Sequence, residues 1–331
     1  MSGSNGSSPA RTQMLDELRS AQRFLLATHE NPDGDALGSL AGMQLVLAGL
    51  GKDAVAYMAP DEFPLPYEYR FIQIENLVTE PPADLEERTI VFLDCGNIDR
   101  NPADSLKREG AHILNVDHHH DNTQFGTVNL VVPEASCTAE VIWDLTKDLG
   151  AELTRPIAEA LYVGLVTDTG KFMYENTGPA AHQMAAELIE AGVDVHAIYR
   201  RIFEGVPQGK LELLARGLAN VERFDGGLLT VTHLSSEDYA ATGAVASYSE
   251  GVVDHLRALE GTAVAGLIRD LPGNGEQRRK VSLRATDDRV DVSAIARSQG
   301  GGGHRRAAGF STTMDYPQLV EVLRASLAEQ L

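Results

Sequence analysis

The chain has 331 residues, more than the roughly 250 to 300 at which a single core stops growing, so two domains are expected. A hydrophobic share of 43% with 31 Gly and 14 Pro describes a globular chain and excludes a fibrous or disordered one. Its 28 basic and 48 acidic residues give a formal charge of −20, which excludes a broad basic surface for long nucleic acid and confines any polyanion site to a small pocket or to bound cations.

In chain order, "MSGSNGSSPA" has no apolar segment of the kind a signal peptide needs, and it reads as the start of a loose tail over residues 1–14; a cytoplasmic location is expected. "RFLLATHE" (23–30) then predicts a short strand running into a polar loop, and "DALGSLAGMQLVLAGLG" (35–51) a helix stopped by glycine. "KDAVAYM" (52–58), "TIVFLDCG" (89–96), "AHILNVDHHH" (111–120) and "GTVNLVV" (126–132) are further β-rich runs closed by turn residues. Together they predict a mostly parallel, buried sheet with helical crossovers. Helical periodicity follows in "CTAEVIWDLTKDLG", "PIAEALYVGLVTDTG" and "PAAHQMAAELIEAGV", which closes a first domain near residue 192. "HAIYRRIFEGVPQGKLELLARGL" lies in a helical connector over 193–220. Beyond it, "GGLLTVTHL", "TAVAGLIRDL" and "RKVSLRAT" predict strands, with helices at "DVSAIARSQ" and "YPQLVEVLRASLAEQ": a smaller α+β domain over 221–331. No stretch reaches membrane-spanning length. Cys95 and Cys137 make neither a disulfide framework nor a CxxC pair and are expected to be small buried residues.

Four places in the first domain carry acids or imidazoles just past a predicted strand or in a loop: His29, Asp33 and Asp35; Asp94; Asp117, His118 and His119; and Asp168. In an open parallel sheet the strand C-termini form one crevice, so these groups are expected to converge. Pro32 and Gly34 favour a tight loop that lets Asp33 and Asp35 present oxygens to a shared point, with a cation between them removing their repulsion. Singly, each residue is as well explained by helix capping or a solvated loop. Jointly, five carboxylates and three imidazoles without a placed thiolate point to divalent cations, Mn²⁺ ahead of Mg²⁺ and unlike a closed zinc site. Two ions about 3.5 to 4 Å apart, bridged by one carboxylate, would use this many donors.

These residues resemble the DHH phosphoesterase superfamily. "VDHHH" is similar to its naming motif, "THENPDGDALGS", "FLDCG" and "LVTDTGKF" to further motifs, and "VSLRA" and "GGGGHRRAAGF" to the DHH-associated (DHHA1) domain, so the match runs from about residue 15 to the C-terminal part. The resemblance implies a DHH catalytic domain over 15–192 and a DHHA1 substrate-binding domain over 221–331, with the site in the cleft between them. It implies that His29 and Asp33 hold one ion, that Asp35, His118 and Asp168 hold the other, and that Asp94 bridges both. Asp117 would orient an imidazole and His119 would face the phosphate, stabilising charge or donating a proton. His120 has no assigned role. In the second domain Arg284, Gly301, Gly302, Gly303, His304 and Arg305 would hold the substrate, the glycines by exposing backbone N–H groups to an anion. A flexible glycine linker is the bland account of that run.

RecJ-type exonucleases carry an extra oligonucleotide-binding domain for which this chain has no room, and family II pyrophosphatases have a different second domain. What remains resembles the nanoRNase (oligoribonuclease) and pAp phosphatase group: metal-assisted hydrolysis of RNA of about 2–5 residues and of 3′-phosphoadenosine 5′-phosphate (pAp). Linear or cyclic dinucleotides (pApA, c-di-AMP type) are the alternative substrates, and a non-catalytic nucleotide sensor is the alternative class. No membrane partner is implied. Members of the family often form homodimers, although no exposed stripe marks an interface.

Overall fold

The five residues "RFLLA" bury every side chain but the first as strand β1 (Arg23–Ala27). The same apolar density builds β2 (Asp53–Tyr57), β4 (Thr89–Leu93) and β5 (Ile113–Asp117), while β3 (Leu77–Val78) and β6 (Val128–Val131) are shorter and half-covered edges. All six pair in parallel in the order β3-β2-β1-β4-β5-β6, with Leu25 in register with Val55 on one side and Ile90 on the other. A continuous apolar strand is what a parallel sheet covered on both faces requires. The sheet grows outward in both directions from the β1/β4 boundary, so the loops after these two strands part at a topological switch point, the usual place for a ligand crevice.

The computed structural model describes residues 8–271 and 278–331, which divide into two units, up to Glu204 and from Gly205. In the first unit the helices are α1 (Pro9–Ser20), α2 (Gly34–Gly49), α3 (Thr138–Asp148), α4 (Arg155–Asp168), α5 (Pro179–Glu190) and α6 (Val195–Phe203). Three features depart from the sequence reading. Residues 1–7 of the expected tail lie outside the described residues, but residues 9–14 of it are helical: Ser8 caps α1, Pro9 opens it, and Met14 and Leu18 are fully buried. Of the expected crossovers, β1 to β2 runs through an α-helix, whereas the segment between β2 and β4 carries Pro60, Pro64, Pro66, Pro81 and Pro82 and makes only short 3₁₀ turns around β3. The expected connector also divides: Ile198 and Ile202 of α6 belong to the first unit's core.

In the second unit, α7 (Gln208–Ala219), β7 (Glu222–Phe224), β8 (Leu229–Leu234), α8 (Ser236–Thr242), α9 (Val252–Arg257), β9 (Val264–Leu271), β10 (Arg278–Ala285), α10 (Val292–Ser298), β11 (Gly302–His304), β12 (Ala307–Thr312) and α11 (Tyr316–Ala328) follow. The strands order β11-β12-β10-β9-β8-β7, antiparallel except for β8 with β9. Residues of α10 and α11 cover one face, and Leu213, Val252, Val253 and Leu256 pack on the other over Leu234, Ala265 and Leu267. No helix of the described residues is long and apolar enough to cross a membrane.

Candidate metal centre

The loop after β1 turns at Asn31, which has φ +51°, and enters α2 through Asp33, whose Oδ1 accepts hydrogen bonds from the N–H groups of Asp35 and Ala36 at 3.0 Å each. Asp33 therefore is a helix cap, as the bland account holds, and it is also drawn into a cluster with His29 and Asp94. Asp35 points elsewhere. Its carboxylate is 1% exposed and accepts from the N–H groups of Thr138 (2.6 Å) and Ala139 (3.0 Å) in the first turn of α3. The two acids do not share one point: Asp35 clusters with His118 and Asp168.

Asp168 is the last residue of α4, within the helical run expected there, and lies neither past a strand nor in a loop. It reaches the site because α2 and α4 pack with their backbones in near contact. A Cβ on Gly38 would stand 2.5 Å from the Ala160 carbonyl, one on Gly34 would strike Thr167, and one on Gly164 would strike the Asp35 carboxylate at 2.6 Å. The spacing Gly34, Gly38, Gly42 was the signal for this contact that motif reading passed over.

Asp94 follows β4 with φ +56°, a backbone region that costs a non-glycine residue about 1–3 kcal/mol and persists where surrounding contacts over-determine it. Here its N–H donates to the Val116 carbonyl at 3.1 Å and its Oδ1 accepts from the Thr138 hydroxyl at 3.0 Å. Three imidazoles surround the carboxylate: His29 Nε2 lies 3.7 Å from Oδ2, and His118 Nε2 and His119 Nδ1 lie 3.7 and 3.6 Å from Oδ1. His118 Nε2 is also 3.6 Å from Asp168 Oδ2. Asn176, which no motif singled out, donates to Asp168 Oδ2 at 3.2 Å and to the Ser136 carbonyl at 2.7 Å.

Such separations are too long for hydrogen bonds, but an ion with bonds of about 2.1 Å places neighbouring ligand atoms about 3.0 to 3.4 Å apart, so a small inward movement suffices. The outer nitrogens support the same reading. His29 Nδ1 contacts the Glu30 carbonyl at 2.7 Å and His118 Nδ1 the Ala135 carbonyl at 3.4 Å, contacts that occupy the outer nitrogen and leave Nε2 aimed inward. Electrostatics agree as well. Burial, reinforced by Asp94 and Asp168, pushes the Asp35 carboxyl far up, and burial with Asp94 and Asp33 pushes Asp168 up to about 7 despite His118. Burial would raise Asp94 too, yet the His29, His119 and His118 imidazoles hold it below the ordinary carboxylate range. Crowded acids whose charge the protein alone does not balance, with aimed imidazoles, fit divalent cations.

His119 is built differently. Its Nδ1 hydrogen-bonds Asp117 Oδ1 at 2.8 Å, and Asp117, fully buried at the end of β5, accepts at Oδ2 from Asn122 Nδ2 at 2.6 Å. Burial lowers the imidazole, but Asp117 and Asp94 outweigh it and raise His119 to about 9. Asn122 was missed in the sequence because an Asn in a polar turn carries no distinguishing mark.

In the second unit, Arg284, Ser282 and Lys280 share one face of β10 with Arg269 of β9. Arg269 donates to the hydroxyls of Ser249 (3.1 Å) and Ser282 (2.8 Å), and Arg284 to the Leu283 carbonyl (3.1 Å). Gly302 and Gly303 of the glycine run belong to a strand and not a linker, β11 (Gly302–His304) pairing with β12. A Cβ on Gly301 would meet the Gly309 carbonyl at 2.2 Å and one on Gly303 the Ala307 carbonyl at 2.6 Å, so close strand packing accounts for both, while Gly302 faces open space. Arg305 donates to the Asp288 carbonyl at 2.7 Å.

Sheet order, switch-point loops and a doubled acid-imidazole cluster define an α/β phosphoesterase, and comparison with known proteins agrees. The model of the DHH family N-terminal domain matches residues 23–165 and that of the DHHA1 domain residues 238–329. The chain belongs to the DHH/DHHA1 phosphoesterase family. It is 34% identical over 308 residues, 92% of its length and 89% of the relative's, to the bifunctional oligoribonuclease and PAP phosphatase NrnA of Thermus thermophilus. Its fold is shared by an exopolyphosphatase-related protein from Bacteroides fragilis (TM-score 0.87, 22% identity, 98% and 96% of the two chains). It is shared more loosely by RecJ of Thermus thermophilus in complex with Mn²⁺ (TM-score 0.56, 16% identity, 97% of this chain and 54% of that one).

Proposed function

We propose that this protein hydrolyses phosphoesters of very short RNA, and the terminal phosphate of pAp, at a site holding two divalent cations. The observation that carries the reading is the pair of donor clusters, His29–Asp33–Asp94 and Asp35–His118–Asp168, each with ligand atoms within 4.8 Å of one another and Asp94 facing both His29 and His118. Divalent cations held there lower the pKa of water and offset charge on the phosphoryl oxygens. Mn²⁺ is favoured over Mg²⁺ because imidazoles share the site with carboxylates; RecJ, of the same fold, is known in complex with either ion.

The chain's own groups do the rest. Asp117, fixed by Asn122, holds and orients the His119 ring, from which position it would neutralise a phosphoryl oxygen or protonate the departing one. In the second unit Arg284, Gly302, His304 and Arg305 hold the nucleotide, with Gly301 and Gly303 shaping the strand beneath them. Short substrates suit a chain with a charge of −20, which has no excess of basic groups to meet a long polyanion. The relative's name supplies the substrate pair of oligoribonucleotide and PAP.

A side-by-side assay with Mn²⁺ of a dinucleotide, a pentanucleotide, a long RNA, pAp and cyclic di-AMP tests this. Release of mononucleotides from the short RNAs and of phosphate from pAp is expected, with little turnover of long RNA. No product from any of them would leave a nucleotide sensor as the better account.

A further inference from the structure

Helix α3 starts without a cap of its own. Its N-cap residue is Cys137, whose side chain makes no capping bond, so the first N–H groups of the helix need another acceptor. The Asp35 carboxylate supplies it from α2: Oδ2 accepts from the Thr138 N–H at 2.6 Å, and Oδ1 accepts from the Ala139 N–H at 3.0 Å and from the Ser39 hydroxyl at 3.3 Å. A candidate cation ligand thus doubles as the cap of a helix about 100 residues further along the chain.

Other contacts run to the same short segment. The Ala135 carbonyl lies 3.4 Å from His118 Nδ1, and the Ser136 carbonyl accepts from Asn176, which also donates to Asp168. The Thr138 hydroxyl does not turn back on its own helix but donates to Asp94 Oδ1 at 3.0 Å. Residues 135–139 therefore reach, directly or through Asn176, all three members of the cluster Asp35–His118–Asp168 and the Asp94 carboxylate as well. The segment is pinned in turn, since the Glu140 carboxylate accepts from the N–H and the hydroxyl of Ser136 at 2.9 and 2.6 Å. Within it Thr138, fully buried, holds two acids at once, Asp35 by its N–H and Asp94 by its hydroxyl. Asp94 Oδ2 faces His29 of one cluster and Oδ1 faces His118 of the other, while the torsion that turns a carboxylate is soft. A bond to Oδ1 fixes that turn.

We propose that Thr138 is a positioning residue that holds Asp94 with one oxygen turned to each cation position, and that the position at Asp35, His118 and Asp168 depends on it more than the other does. This rests on the two-cation reading and adds which outer residue ties the positions together. Titration calorimetry with Mn²⁺ and electron paramagnetic resonance test it without turnover. Wild type should take up two ions and show the spin coupling of a bridged pair. Thr138→Val keeps the shape and the backbone N–H but loses the hydroxyl. It should hold one ion within about threefold of wild type, weaken the other about 10- to 100-fold, and lose the coupled signal at ion concentrations that fill wild type. Thr138→Ser should keep both ions and the coupling, and Thr138→Ala takes the place of Thr138→Val should that variant not fold. The predicted pattern in a protein that releases no product from any nucleotide would retain this role and discard the phosphoesterase. A Thr138→Val protein that melts lower without metal yet binds both ions like wild type, equal weakening of both ions, or a wild type with no coupled pair would overturn it.

Discussion

Asp94 carries the strongest demands of any single residue. It sits in a left-handed backbone conformation, is 2% exposed, and has three imidazoles around one carboxylate. Asp94→Ala is expected to abolish turnover on every substrate and to remove the rise in melting temperature that Mn²⁺ gives the wild type. At an ion concentration 100-fold above Kd that rise corresponds to about 2.7 kcal/mol per ion, or roughly 5–10 °C. A thermal melt with and without Mn²⁺ checks both proteins, and an undiminished shift in the variant would sink the shared-ligand role. Asn122→Ala should act one step further out. Loss of its hydrogen bond frees Asp117 to turn from His119, so kcat should fall about 10- to 100-fold with metal content unchanged, as measured by kinetics and elemental analysis.

Among the elements, the α2/α4 contact decides whether the two clusters meet. Gly164→Ala would place a methyl 2.6 Å from the Asp35 carboxylate, forcing the helices apart or the acid off its bonds to the start of α3. A loss of about 1–3 kcal/mol in urea unfolding together with weakened Mn²⁺ binding is expected, and a fully active variant would show that the close approach is not needed. This contact also shows what the sequence could reveal and what it could not. The apolar strands were legible from composition and the motif acids from their place after them, since strand and loop chemistry are local. The source of Asp168 was not, because a helix end enters the crevice only through packing between residues over 100 positions apart. Asp33 was half legible: both its capping role and its place in a cluster are real, and local spacing alone wrongly paired it with Asp35. The glycines at 301 and 303 were expected to cradle an anion; what sequence did not show is that backbone carbonyls stand where their Cβ atoms would be, so close packing also requires glycine there.

At the scale of the whole molecule, the proposed function assigns chemistry to the first unit and grip on the substrate to the second. Arg284→Ala should raise KM for dinucleotides and pAp about tenfold while metal content and kcat stay near wild type, a split that kinetics and elemental analysis read together; an unchanged KM would remove Arg284 from the substrate site. The net charge of −20 gives a further expectation at this scale: affinity for short RNA should fall only weakly with salt, since few phosphates meet basic groups. The most direct test of the central claim is anomalous diffraction at the manganese edge from crystals soaked in Mn²⁺. Two peaks are predicted, one within bonding distance of His29, Asp33 and Asp94 and the other of Asp35, His118 and Asp168, with Asp94 touching both; a single peak, or peaks away from these side chains, would contradict it.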